Sequence, residues 1–397
     1  MSGPTYGELC AGYGGLGMGV QSVLGGETRW VSEFDAHPSR ILAHHWPDAP
    51  NLGDMTKVDW RKVEPVDVIT GGTPCQDLSH AGKRAGMTES TRSNLWVQMR
   101  EAIAAIRPSL VVWENVRGAY SACADSDLGR CPRCVGDDPG GRHAPWLRAL
   151  GRVLGDLSDL GYDAGWYGLR AADVGACHGR FRVFVYAVPA DSDVSGLQGL
   201  ADQTRAAQAG RHRHALAGAG GSHLTLLPTP VGDNSRGLPQ SGTDFQSLPN
   251  VAVQLLPTPT TMDHKASGGG YNGQTDVTLT DATVRQPQDW SVYEAAIRRH
   301  EAVTGTPAPA PTEPGPKGGA RLSPRFVEWM MMLPAGHVTD PAIWEGITNA
   351  KGRILTGSAL ESAARNAQLK ALGNGVVPPQ AAAACRMWLR DLSEVAA

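Results

Sequence analysis

Val66-Asp67-Val68-Ile69-Thr70-Gly71-Gly72-Thr73-Pro74-Cys75-Gln76-Asp77-Leu78-Ser79 is an apolar, strand-like run that breaks at a glycine turn and delivers a cysteine. A thiol placed this way lies at the carboxyl edge of a sheet, where open α/β proteins carry their ligands and chemistry. Working outward, similar apolar runs occur at Trp30-Val31-Ser32, Leu110-Val111-Val112-Trp113 and Phe181-Arg182-Val183-Phe184-Val185-Tyr186. Helix-like stretches, Asn94–Ile106 and Trp146–Leu160, separate them. Strands alternating with helices predict a doubly wound, mostly parallel sheet, whose buried strands read as continuous apolar runs.

The rest of the chain bounds this reading. At 397 residues there is room for one large domain and a smaller one. Residues 1–190 carry the α/β pattern. From 191 to 320 the periodicity fades into Gly, Pro, Ser, Thr and Asp, and residues 321–397 read as a segment returning to the first domain. Leu226-Leu227-Pro228-Thr229-Pro230 recurs as Leu255-Leu256-Pro257-Thr258-Pro259, and Thr304–Gly319 reads as a Pro/Gly linker. Ser323 before Pro324 predicts a helix start, and a last helix is expected over Pro379–Leu392 after the turn Gly373-Asn374-Gly375. Seven cysteines without a secretory pattern point to free thiols in the cytoplasm, and no run of about 18 apolar residues predicts a membrane span. The net charge of −3 gives no global attraction to nucleic acid, so any basic surface must be local. Arg211-His212-Arg213-His214 is one such patch.

A second glycine turn, Glu8-Leu9-Cys10-Ala11-Gly12-Tyr13-Gly14-Gly15-Leu16-Gly17, follows the first strand. Its glycines allow close backbone approach and present amides at a helix N-terminus. Glu33 ends the next strand about 20 residues on, where nucleotide-binding sheets place the acid that takes a ribose hydroxyl. Asp54, in Gly53-Asp54-Met55, suits an adenine amino group. The set predicts a nucleoside-containing cofactor.

These motifs resemble those of the cytosine-5 DNA methyltransferases of bacteria and phages. The glycine turn resembles the family's S-adenosylmethionine loop, and Gly72-Thr73-Pro74-Cys75-Gln76 its nucleophile motif. Glu114-Asn115-Val116 resembles the acidic motif, His178-Gly179-Arg180-Phe181-Arg182 the paired-arginine motif, Arg321–Pro334 the helix before the last motif, and Gly373-Asn374-Gly375-Val376-Val377-Pro378 the closing motif. Three positions depart from the pattern. Cys10 stands where a phenylalanine is usual, Thr73 replaces the phenylalanine before Pro74, and His178 replaces a glutamine.

The resemblance implies a Rossmann-like methyltransferase with a smaller, irregular target-recognition domain at 191–320. It implies a methyl transfer from S-adenosylmethionine to carbon 5 of a cytosine flipped out of double-stranded DNA. Cys75 is then the nucleophile at carbon 6, suited by its strongly nucleophilic thiolate. Glu114 reads ring nitrogen 3 and the exocyclic amine, Arg180 holds the base carbonyl oxygen, and Arg182 orients Glu114. Cofactor contacts are implied for Cys10, Gly12, Gly14, Gly15, Leu16, Glu33, Phe34, Asp54, Met55, Pro74, Asn374 and Val376. DNA contacts are implied for Gln76, Ser79, Lys83 and Arg92.

The expected protein is a monomer with no membrane attachment, in a setting that can include a cognate restriction endonuclease. A transfer-RNA methyltransferase of the same fold and a noncatalytic DNA-binding relative are the alternatives. A nicotinamide oxidoreductase leaves the thiol beside Glu114 unexplained. Cys131-Pro132-Arg133-Cys134, with Cys123 and His143, has the spacing of half a zinc site, and no metal is assigned to it.

Overall fold

The computed structural model describes residues 3–73, 95–120, 123–125, 146–192, 255–264, 279–285, 293–315 and 318–395, with five positions between 196 and 204. Contacts divide the chain into two units: Met1–Leu169, Phe181–Ala209 and Pro378–Ala397 form the first, and Arg170–Arg180 with Gly210–Val377 the second.

The first unit is Rossmann-like. Strands β1 (Thr5–Leu9), β2 (Glu27–Ser32), β3 (Val68–Gly71) and β4 (Leu110–Val116) are parallel. The short pair β5 (Cys123–Asp125) and β6 (Trp146–Arg148) is a separate antiparallel ribbon. Strands β7 (Tyr162–Arg170) and β8 (Phe181–Pro189) complete a six-stranded sheet of order β2-β1-β3-β4-β8-β7, in which β8 runs antiparallel to β4. The reading of Trp146–Leu160 as one helix is therefore corrected, because its first three residues pair with β5.

Helices α1 (Gly15–Leu24), α2 (Ala36–His45), α3 (Leu95–Ile106) and α4 (Ala149–Asp159) follow the strands. Trp96, Met99 and Ile103 of α3 and Leu150, Val153 and Leu157 of α4 recur at helical spacing and bury with Ile69, Val111, Trp113, Val183 and Val185 in one core. Asp35 caps α2 by accepting from the His37 amide at 3.1 Å.

The second unit contains α5 (Glu294–Thr304), a hairpin of β9 (Thr312–Pro314) and β10 (Ala320–Leu322), α6 (Pro324–Met330), α7 (Pro341–Trp344) and α8 (Gly357–Asn374). Within the linker expected over Thr304–Gly319, Thr312–Pro314 forms strand β9, whose Glu313 pairs with Arg321 across the hairpin at 2.9 Å. Asn374, read as part of a turn, is the last residue of α8. Helix α9 (Pro378–Val395) belongs to the first unit, so of the segment 321–397 only this helix clusters there. It packs closely on α1: a Cβ at Gly19 would lie 2.4 Å from the Pro378 carbonyl oxygen and 2.6 Å from the Ala381 Cβ. Among the described residues no helix is long and apolar enough to cross a membrane.

Candidate active site

Strand β4 carries the candidate carboxylate, Glu114. Its side chains alternate, so Glu114 faces away from the core that holds Trp113. The antiparallel register sets Val116 opposite Arg182 and Glu114 opposite Phe184, which places Arg182 beside Glu114. The Arg182 Nε lies 2.6 Å from Glu114 Oε1, and both side chains are largely buried. A charge-assisted contact of this length in a low-dielectric setting holds the carboxylate firmly. The other oxygen, Oε2, lies 3.0 Å from where a Cβ on Gly72 would stand. Glu114 thus sits against the backbone three residues before Cys75.

Arg180 has a different environment. Within the second unit its Nη1 donates to the Pro259 carbonyl at 3.1 Å, and its Nη2 donates to those of Gly373 and Gly375 at 3.1 and 2.7 Å. Its terminal nitrogens are committed to backbone, so the reading of Arg180 as the holder of a base oxygen does not fit this geometry. His178, the departure from glutamine, supplies both an acceptor and a donor as an amide would. Its Nδ1 accepts from the Arg180 amide at 3.4 Å, which leaves Nε2 to donate to the Met330 carbonyl at 3.0 Å.

Towards the β2 edge of the sheet, β1, α1 and β2 bring the residues of the glycine turn together with Glu33. Gly12 and Gly14 have φ of +57° and +84°, and Gly14 is covered by the Trp46 ring, which an added Cβ would meet at 2.6 Å. Gly15 and Leu16 begin α1 and are buried. Glu33 accepts from the Gly12 amide through Oε2 and from the Asp35 amide through Oε1, both at 2.8 Å. Burial raises its pKa above the usual carboxylate range, and these amides oppose the rise. Phe34 is 77% exposed, an aromatic face available to a planar ligand. Cys10, at φ +50°, directs its thiol to Met55 Sδ at 3.5 Å, and burial pushes that thiol up to about 12. Asp54 accepts from the Thr56 amide and hydroxyl and pairs with Lys57 at 3.4 Å. Asn374 and Val376 lie in the second unit. Open space over Gly12 and Gly53, an acceptor at Glu33 and the exposed ring at Phe34 suit a nucleoside-bearing ligand.

The sequence pattern described as C-5 cytosine-specific DNA methylase matches residues 5–217, more than half of the chain. The chain belongs to that family. The family's methyl donor is S-adenosylmethionine. A DNA N-6-adenine-methyltransferase of Escherichia phage P1 is 32% identical to this chain over 217 residues, which are 46% of this chain and 28% of that protein. The Type II methyltransferase M.HgiBI of Herpetosiphon aurantiacus is 29% identical over 193 residues, 48% of this chain and 38% of its own length. M.Eco47II of Escherichia coli is 37% identical over 123 residues, 30% of this chain and 29% of its own. The chain therefore matches well under half the length of each of these curated relatives.

Pro74, Cys75, Gln76, Ser79, Lys83 and Arg92 lie outside the described residues, as do Cys131, Cys134, His143 and the Arg211–His214 patch. Two features of the chain were not anticipated. Glu8 is buried against the first turn of α1. Trp113 and Asn115 converge on Thr73, the last described residue before Pro74.

Proposed function

We propose that this chain is a DNA (cytosine-5)-methyltransferase acting on a cytosine flipped out of duplex DNA. The observation that carries the reading is the Arg182–Glu114 pair, held against Gly72 three residues before Cys75. Gly12, Glu33, Phe34 and Met55, with further contacts from Asp54 and the Asn374–Val376 motif, would hold S-adenosylmethionine, which when bound would supply an electrophilic methyl group and leave as S-adenosylhomocysteine. The Cys75 thiolate adds to carbon 6 of the base, forming a carbon–sulfur bond and moving an electron pair into the ring, so that carbon 5 becomes nucleophilic. Glu114 shares a proton with ring nitrogen 3 and accepts from the exocyclic amine. Arg182 holds Glu114 in place and sets a cation beside it. Arg180 is a positioning residue that ties the closing motif to the Pro259 backbone. After methylation, loss of the carbon-5 proton to a base or water restores the ring double bond and expels the thiolate.

Duplex DNA is the proposed substrate, with Gln76, Ser79, Lys83 and Arg92 meeting the strand and the region from 191 to 320 reading the site. The protein acts as a monomer in the cytoplasm, in a modification setting like that named for its Type II relatives, which can include a cognate restriction endonuclease.

The decisive experiment incubates the protein with labelled S-adenosylmethionine and duplex DNA or transfer RNA, then identifies the product by mass spectrometry and bisulfite sequencing. The expected product is 5-methylcytosine in DNA; N6-methyladenine, or label confined to transfer RNA, overturns the substrate assignment. Duplex carrying 5-fluorocytosine should trap native protein covalently and leave Cys75→Ser free, because fluorine blocks the final elimination. Equal trapping of both removes Cys75 as nucleophile.

A further inference from the structure

Three side-chain hydrogen bonds meet on one residue at the mouth of the nucleophile segment. The indole Nε1 of Trp113 donates to the Thr73 hydroxyl at 2.9 Å. The Asn115 amide nitrogen donates to the Thr73 carbonyl at 3.1 Å and to its hydroxyl at 3.4 Å, while Asn115 Oδ1 accepts from the Val116 amide at 2.9 Å. Thr73, Trp113 and Asn115 are all nearly fully buried, at 3%, 0% and 1% exposure. None of the three is used by the chemistry proposed above, and Thr73 stands where the family pattern has an apolar ring.

Geometry gives this cluster a purpose. Strand β4 projects Trp113 and Asn115 to one side and Glu114 to the other, so one rigid element holds both the base-reading carboxylate and the backbone two residues before Cys75. A buried indole N–H needs an acceptor, and the Thr73 hydroxyl meets that need here. The same oxygen also takes a bond from Asn115, so the exit of the chain from β3 is held at side chain and backbone together.

We infer that Thr73 is a positioning residue for methyl transfer: its hydroxyl, gripped by Trp113 and Asn115, sets the register of the chain leading to Cys75 relative to Glu114. This rests on the reading of Cys75 as nucleophile. A small displacement of a reacting group is enough to cost up to about a hundredfold in rate without changing ligand affinity.

The test compares native protein, Thr73→Val, Thr73→Ser and Trp113→Phe in the full chain. Valine matches threonine in shape and lacks the acceptor; serine keeps it; phenylalanine removes the indole donor. Trapping rate on 5-fluorocytosine duplex, kcat, KM and the Kd for S-adenosylmethionine are read for each. Thr73→Val and Trp113→Phe should slow trapping and kcat by about ten- to a hundredfold, with Kd for S-adenosylmethionine and KM for duplex within about twofold, and Thr73→Ser should recover most of the rate. Native trapping rates in either Thr73→Val or Trp113→Phe overturn the proposal. So does a loss of rate in Thr73→Val matched by an equal loss of cofactor affinity, which marks a structural role only. Should Thr73→Val fail to fold, Trp113→Phe and Thr73→Ser decide by the same criteria. Failure of native protein to trap at all instead removes the nucleophile reading on which the inference rests.

Discussion

Glu8 is an acid in an unusual place for one. It lies on β1 at 4% exposure, in register with Thr70 of β3, and its Oε1 accepts from the Gly17 amide at 3.0 Å. A Cβ on Gly17 would stand 2.4 Å from its other oxygen, so the carboxyl is pressed onto the first turn of α1. Burial pushes its pKa up to about 8; the Gly17 amide opposes this, and the neighbouring Glu33 charge adds to it. Because the folded value lies above the ordinary 4.5, the folded state holds a proton that the unfolded chain releases. Its stabilising effect is complete below about pH 4.5 and is lost as pH rises through about 8. Glu8→Gln keeps an acceptor for Gly17 without the titration. Tm profiles of both proteins should diverge in favour of the variant from pH 5 to 8 and run parallel above pH 9. A gap independent of pH would mean Glu8 does not carry the buried proton. The acid was visible beside the glycine turn from the start. That it turns inward onto α1 is settled by its contact with Gly17, which the sequence does not show.

At the level of elements, legibility followed apolar content. Strands β3, β4 and β8 were readable because strands covered on both faces are continuous apolar runs. The hairpin β9–β10 was not, since three-residue strands in Pro/Gly-rich sequence show no alternation. Helix α8 was missed for a related reason: Gly357–Asn374 is rich in Ala, Ser, Gly and Asn and shows no broad apolar stripe. It is held instead by close backbone contact. A Cβ at Gly373 would lie 2.3 Å from the Thr260 carbonyl carbon and 2.4 Å from the Thr261 nitrogen, atoms that cannot rotate away. This gives a test with opposite signs for the two effects. Helix propensity alone favours alanine over glycine by about 1 kcal/mol, whereas forcing a methyl into packed backbone costs about 1–3 kcal/mol. Gly373→Ala should therefore lower the denaturant midpoint without changing the slope. A raised midpoint would show that the Pro259–Thr261 segment does not pack on α8 as described.

Over the whole molecule, the interactions furthest from prediction are those that join distant parts of the chain. Arg180 reaches carbonyls 79 and 193 residues away, and Tyr186 donates to the Ala381 carbonyl 195 residues on at 2.8 Å. Motif spacing can nominate such residues but cannot assign their partners, which is why the paired arginines read as one unit and divide in the structure. The same limit of scale applies to DNA. With 36 basic and 39 acidic side chains, the chain carries no net field to hold a polyanion. Affinity for duplex must come from a few local contacts, for which Lys83 and Arg92 are proposed. Each phosphate neutralised should contribute about 0.9 to the slope of log affinity against log salt. Lys83→Ala and Arg92→Ala should each flatten that slope by about one unit and weaken all duplex sequences alike, measured by fluorescence anisotropy from 50 to about 300 mM salt. An unchanged slope in both variants would place the phosphate contacts elsewhere. A loss confined to one duplex sequence would make the residue a reader of bases rather than a backbone anchor.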